Sequence, residues 1–190
     1  MKFLPMPVLY TGLLFKFFQL DGFILSIRRL YSFNWPIYGY INPVQNIKLF
    51  PRFITSSLEA ALTDTPVVII HGPRQCGKTT LAQIIAAKHG HEYFSFDNDN
   101  LLRAAQEDPL GFCAELPERV VLDEIQRVPE LFTSIKVLVD QNRKPGRFIL
   151  TGSANILLLP RLADSLAGRM EVIRLAPLTQ MEIENTSLRA

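Results

Sequence analysis

The sequence predicts an α/β fold, a doubly wound parallel sheet with helices on both faces. Three observations predict it. The apolar run Val67-Val68-Ile69-Ile70 leads into Gly72-Pro73-Arg74-Gln75-Cys76-Gly77-Lys78-Thr79, which then enters a helical pattern. Short apolar runs alternate with helical patterns along the rest of the chain. Residues 67–71 read as a continuous apolar strand, as expected of a parallel sheet covered on both faces, while the second strand, 92–96, alternates.

The elements follow in order. The globular part begins near Phe50-Pro51-Arg52. Ser56 or Ser57 is positioned to cap a short helix through Leu62, with Leu58, Ala61 and Leu62 on its buried side. Asp64-Thr65-Pro66 ends that helix, and residues 67–71 form the first strand. The helix after the glycine loop carries Leu81, Ile84 and Ile85 on one face and stops near Gly90. Residues 92–96 form a second strand, and Asp97-Asn98-Asp99 can cap a short helix over 101–106. Residues 119–122 form a third strand that ends in Asp123-Glu124. Pro129-Glu130 starts a helix whose buried stripe is Leu131, Ile135 and Leu138. Pro145-Gly146 turns the chain into a fourth strand, 147–150, finishing in Thr151-Gly152-Ser153. Residues 157–166 read as a leucine-rich helix ended by Gly168, and residues 170–175 as a fifth strand closed by Pro177.

The chemistry gathers at strand ends, where open α/β sheets bind their ligands. The loop pattern G-x-x-x-x-G-K-T (Walker A) is a phosphate cradle. Its backbone N–H groups and the following helix N-terminus attract anions. The candidate nucleotide-binding residues are Gly72, Pro73, Arg74, Gln75, Cys76, Gly77, Lys78, Thr79 and Thr80. Lys78 can reach β- and γ-phosphates, and the Thr79 hydroxyl can ligate Mg2+. Asp123, ending the apolar strand in the Walker B manner, is the acid expected to hold Mg2+ beside Thr79. Glu124 sits where it could polarise an attacking water. Ser153 and Thr151 are candidates to hold that water or touch the γ-phosphate, with Asn155 behind them. Arg169, after a glycine, is a candidate arginine finger or nucleotide sensor. Cys76 reads as a filler at an unconstrained loop position.

A whole strand at 92–96 separates the loop strand from the Asp123 strand. In P-loop proteins with an added catalytic Glu, the fourth strand inserts between those two, giving the order 5-1-4-3-2. That order sets Ser153 between Thr79 and Glu124.

Charge and composition bound the partners. The net charge of +2 divides into +4 over residues 1–50 and −2 over residues 51–190. A slightly acidic core offers no clear nucleic-acid patch. Cys76 and Cys113 have no metal-ligand spacing and suit a reducing, cytoplasmic setting. Residues 1–50 are rich in aromatics and broken by prolines at 5, 7, 36 and 43. The uncharged run 3–15 is too short to span a bilayer, and extending it buries Lys16 and Asp21. The favoured reading is an extension extraneous to the core. An interfacial membrane contact by residues 1–30, helped by Arg28 and Arg29, is the second, and a packed accessory element the third.

Four stretches together resemble a known group. They are Gly72 to Leu81; Leu122-Asp123-Glu124-Ile125-Gln126-Arg127-Val128-Pro129-Glu130-Leu131; Gly146 to Ser153; and Leu166-Ala167-Gly168-Arg169. This order of motifs resembles the prokaryotic AAA-type ATPases that carry a C-terminal domain of unknown function, over roughly residues 51–182. The resemblance implies an AAA+-like core using ATP and Mg2+. It implies phosphate binding by the loop, metal support by Asp123, water activation by Glu124 and sensing near Ser153. Members usually begin close to Pro51-Arg52 and continue well past Leu178 into a helical domain. A core at 51–190, truncated at its C-terminus, is therefore expected.

Magnesium-dependent ATP hydrolysis is the leading expectation. A nucleotide-binding or switch module without turnover is the alternative, and a small-molecule kinase a less favoured one. The adjacent Asp123-Glu124 pair favours hydrolysis over transfer. A protein partner is not identifiable from the sequence, and association of protomers stays open.

Overall fold

In the computed structural model, the described residues are 49–153, 156 and 166–184. The helix expected at 157–166 lies outside them except for Leu166, as do Asn155 and residues 1–48. Helix α1 spans Thr55–Asp64 and leads into strand β1, Val67–Gly72. Then come α2 (Lys78–His89), β2 (Glu92–Ser95), α3 (Asp99–Glu107) and α4 (Pro109–Ala114). Strand β3 (Val120–Asp123) is followed by a single 3₁₀ turn, Ile125–Arg127, then α5 (Leu131–Gln141) and β4 (Phe148–Ser153). Strand β5 (Met170–Arg174) and a one-turn helix α6 (Gln180–Ile183) complete the described part.

The five strands form one sheet in the order β2-β3-β4-β1-β5, and every pairing is parallel. This is the expected order read from its other edge. β4 lies between β1 and β3, so the end of the loop strand and the Asp123 end of β3 flank Thr151-Gly152-Ser153.

Alternating strand residues point to opposite faces, and the core divides accordingly. Val67, Ile69, Val120, Leu122, Phe148 and Leu150 face one side, packed against α4 and α5 through Phe112, Leu131, Phe132, Ile135 and Val139. Val68, Ile70, Val121, Ile149 and Ile173 face the other, packed against α1 and α2 through Leu58, Leu62, Leu81 and Ile85. Each fully buried side chain of this size contributes about 1.5–3 kcal/mol by leaving water.

Several local expectations are corrected. The stripe on α2 is Leu81, Ala82, Ile85 and Ala86, while Ile84 is 41% exposed. At 3.6 residues per turn Ile84 falls to the side of that face. Helix α1 starts one residue before Ser56, and Ile54 occupies its cap position without a side-chain bond. Helix α4 was not expected. Its start is nevertheless well marked, since Pro109 opens it and Asp108 accepts from the Gly111 N–H. Asn98 caps α3 by accepting from the N–H groups of Asn100 and Leu101.

Candidate functional site

The loop between β1 and α2 needs backbone shapes that most residues resist. Gly77, at φ 93°, sits in the left-handed region just before α2. A Cβ at Gly72 would lie 2.2 Å from the carbonyl oxygen of Leu175, so glycine is required there for contact rather than for φ. Gln75 also adopts a positive φ, 62°. A cleft of about 470 Å³ opens over this loop, lined by Arg74, Gln75, Gly77, Lys78, Thr79, Thr80 and Glu124. Its size lies within the range of small-molecule sites.

Lys78 is buried, and its Nζ donates to the carbonyl oxygens of Gly72 (3.2 Å) and Pro73 (2.8 Å). The ammonium is therefore held at the centre of the loop. Thr79, in the first turn of α2, donates its hydroxyl to Asp123 at 3.1 Å. Cys76 faces the core, 5% exposed, and offers the site only its backbone.

Asp123 is 2% exposed and accepts three hydroxyl donors. Besides Thr79, these are Tyr93 from β2, at 2.6 Å to Oδ2, and Thr151 from β4. Burial first, then the hydrogen bond to Asp123, pushes the Tyr93 phenol upward, so it stays a neutral donor. Thr151 is fully buried and bridges both carboxylate residues. Its hydroxyl donates to Asp123 and accepts from the Glu124 N–H at 3.1 Å. Glu124 itself turns into the left-handed region, φ 58°, which swings its side chain out of the strand pattern towards the cleft. The Gln126 amide donates to Glu124 Oε2.

Sequence reasoning brings together Lys78, Thr79, Asp123 and Glu124, and so does the fold. Ser153 ends β4 beside Gly72, in register with it. The β4 side chain that reaches both acids is nevertheless Thr151. Tyr93 was missed altogether. Its signal lies in strand parity: Tyr93, Asp123 and Thr151 all project to the face covered by α2.

Arg169 lies towards the opposite end of the sheet from its own chain's loop. It precedes Met170, which pairs with Val67 at the start of β1, whereas the loop leaves the far end at Gly72. Five strand steps, roughly 16 Å, separate those rows. Arg169 instead forms a forked pair with Asp140, at 2.6 and 3.0 Å. A sensor role at its own chain's loop does not fit that position.

Fold and cleft together define a nucleotide-binding P-loop protein of the ATPase type. More closely, the chain belongs to the AAA domain family, whose model matches residues 64–184. Two curated relatives, an uncharacterized protein of Mycobacterium tuberculosis and another of Mycobacterium bovis, are each 38% identical over 137 residues. Those matches take in 72% of this chain but 31% of each relative, so the chain spans under a third of their length. Among solved structures, the crystal structure of a DNA replication initiation factor is similar with a TM-score of 0.47 and 19% identity. That match covers 72% of this chain and 50% of the other. No helix among the described residues is long and apolar enough to cross a membrane.

Proposed function

We propose that this chain binds ATP on the loop 72–79 and hydrolyses it with Mg2+. One observation carries the reading. The Thr79 hydroxyl lies on the Asp123 carboxylate, and the next residue, Glu124, opens into the cleft over the same loop. A hydroxyl and a carboxylate are the hard oxygen donors Mg2+ prefers, and sites of this kind use one or two protein ligands with phosphate oxygens. Thr79 and Asp123 would hold the ion, which when bound neutralises charge on the phosphate oxygens.

The protein's own groups do the rest. Backbone N–H groups from Arg74 to Thr80 surround the phosphates, and Lys78 exchanges its bonds to Gly72 and Pro73 for phosphate oxygens. Glu124 acts as general base towards a water, with its main chain fixed by Thr151. Ser153, beside Gly72, is assigned contact with the terminal phosphate. We take residues 51–190 as the ATPase core. Two buried free thiols, Cys76 and Cys113, suit a reducing cytoplasm.

A second reading has support of its own. The Gln126 amide occupies one oxygen of Glu124, which suits a module that holds ATP without turning it over. The test of nucleotide binding, common to both readings, is Lys78→Ala measured by calorimetry with ATP. Loss of charge-assisted bonds worth about 3 kcal/mol or more should weaken binding by roughly 100-fold or beyond detection. Unchanged affinity would overturn the assignment.

A further inference from the structure

Outside the cleft, one part-buried ion pair reaches the loop from behind. Arg52 lies before α1, and Glu182 lies in α6, 130 residues later in the chain. Arg52 Nε donates to Glu182 Oε1 at 3.1 Å, and the two side chains are 10% and 5% exposed. Arg52 Nη2 donates to the carbonyl of Ala176, and Nη1 donates to the carbonyl of Cys76 at 2.7 Å. Cys76 is the loop residue immediately before Gly77. Glu182 is fully engaged as well. It accepts from the N–H groups of Phe53 and Thr179, both at 2.9 Å. Burial alone would raise its pKa, but those N–H groups and Arg52 together hold it below the ordinary carboxylate value.

The bond to Cys76 has a geometric consequence. A trans peptide is planar, and its C=O and N–H point in opposite directions. Fixing the Cys76 carbonyl on Arg52 therefore turns the N–H of Gly77 the other way, towards the concave side of the loop. Gly77 lines the cleft and, at φ 93°, has little intrinsic preference to hold that peptide in place. Nη1 lies 3.4 Å from where a Gly77 Cβ would sit, so the guanidinium backs this peptide directly.

We propose that Arg52, oriented by Glu182, is a positioning residue for the nucleotide loop. It fixes the Cys76–Gly77 peptide so that the Gly77 N–H faces the phosphates, and it ties the loop to the segment 176–182. The inference rests on ATP binding at this loop and adds a group that neither the motif nor the cleft lining contains. Because coupling is reciprocal, a filled loop also steadies the segment that holds Arg52.

The test measures ATP and ADP affinity by calorimetry in wild type, Arg52→Ala, Arg52→Lys and Glu182→Gln. A core control, Val139→Ala, lowers stability far from the loop. Arg52→Ala should weaken both nucleotides about tenfold, a size usual for coupled sites. Arg52→Lys keeps the charge but not the fork, and should fall between Arg52→Ala and wild type. Glu182→Gln should weaken binding in the same direction, while Val139→Ala should bind as wild type does. Hydrogen exchange supplies a second readout. Nucleotide should slow exchange of the Phe53 and Thr179 amides in wild type and not in Arg52→Lys. Wild-type affinity in both arginine variants would overturn the proposal, as would exchange at those amides indifferent to nucleotide. If Arg52→Ala does not fold, Arg52→Lys decides alone. A wild type that binds no ATP would instead overturn the proposed function.

Discussion

Asp123 shows how much one residue depends on neighbours that are distant in sequence. Its position at the end of an apolar strand is legible, because the run Val120-Val121-Leu122 leaves little alternative. Its partners are less so. Tyr93 and Thr151 lie 30 and 28 residues away, and they meet Asp123 only once β2, β3 and β4 are in register. Thr151 stands in a legible polar turn-like stretch, but it shares a face with Ser153, and choosing between them requires knowing the register that sets Thr151 level with Asp123. The Tyr93 hydroxyl is a neutral donor to a carboxylate, a bond worth about 1.5–3 kcal/mol. Tyr93→Phe should therefore free one carboxylate oxygen and disturb its aim. Mg2+ titrations of ATP turnover should show a half-maximal concentration roughly tenfold higher, with ATP affinity in EDTA unchanged. An unchanged Mg2+ dependence would remove Tyr93 from the site's support.

Among the elements, the strands were the most legible and the helix faces less so. A parallel strand buried on both sides must be apolar throughout, so its sequence is plain. A helix face is set by what it packs on, which is why Ile84 read as buried and Ala82 and Ala86 did not. The junction between α2 and β2 carries a further dependence. His91 is buried and its Nε2 bonds the carbonyl of Gly146 at 2.8 Å, tying this junction to the turn before β4. A carbonyl only accepts, so Nε2 carries the proton and Nδ1 does not. Nδ1 is buried with no hydrogen-bond partner. Burial therefore lowers the His91 pKa, more than the Gly146 bond raises it, with Arg119 and His89 adding to the fall. The unfolded chain takes up the proton first as pH drops. Stability from the neutral ring is present above the ordinary value of 6.5 and is lost as pH falls through the lowered one. Melting temperatures at pH 7.5 and 5.5 should differ more for wild type than for His91→Gln, whose amide can still donate to Gly146. Equal differences would mean that His91 is not the group titrating.

Across the whole molecule, the two faces of the sheet divide the work. The face under α4 and α5 holds the larger apolar cluster, with Phe96, Phe132 and Phe148. The face under α2 carries Tyr93, Asp123 and Thr151, which Thr79 meets from α2 itself, so the polar site grows from one end of that layer. Strand order was legible because an extra strand between the loop and Asp123 marks the P-loop arrangement in which β4 inserts between β1 and β3. Arg169 was not. Its motif is local, but its distance from the loop depends on which end of β5 it occupies. Arg52 and Glu182 were hidden for the opposite reason, since nothing in either neighbourhood points to the other. In the proposed reaction the two acids at the end of β3 make the bound nucleotide a substrate. The most direct measurement is phosphate release from ATP with Mg2+ by wild type and Glu124→Gln, with ATP affinity measured in parallel. Wild type should release phosphate, the variant should do so roughly 100-fold or more slowly, and its ATP affinity should stay within about threefold. Release by Glu124→Gln at the wild-type rate, or no release by a wild type that binds ATP, would contradict it.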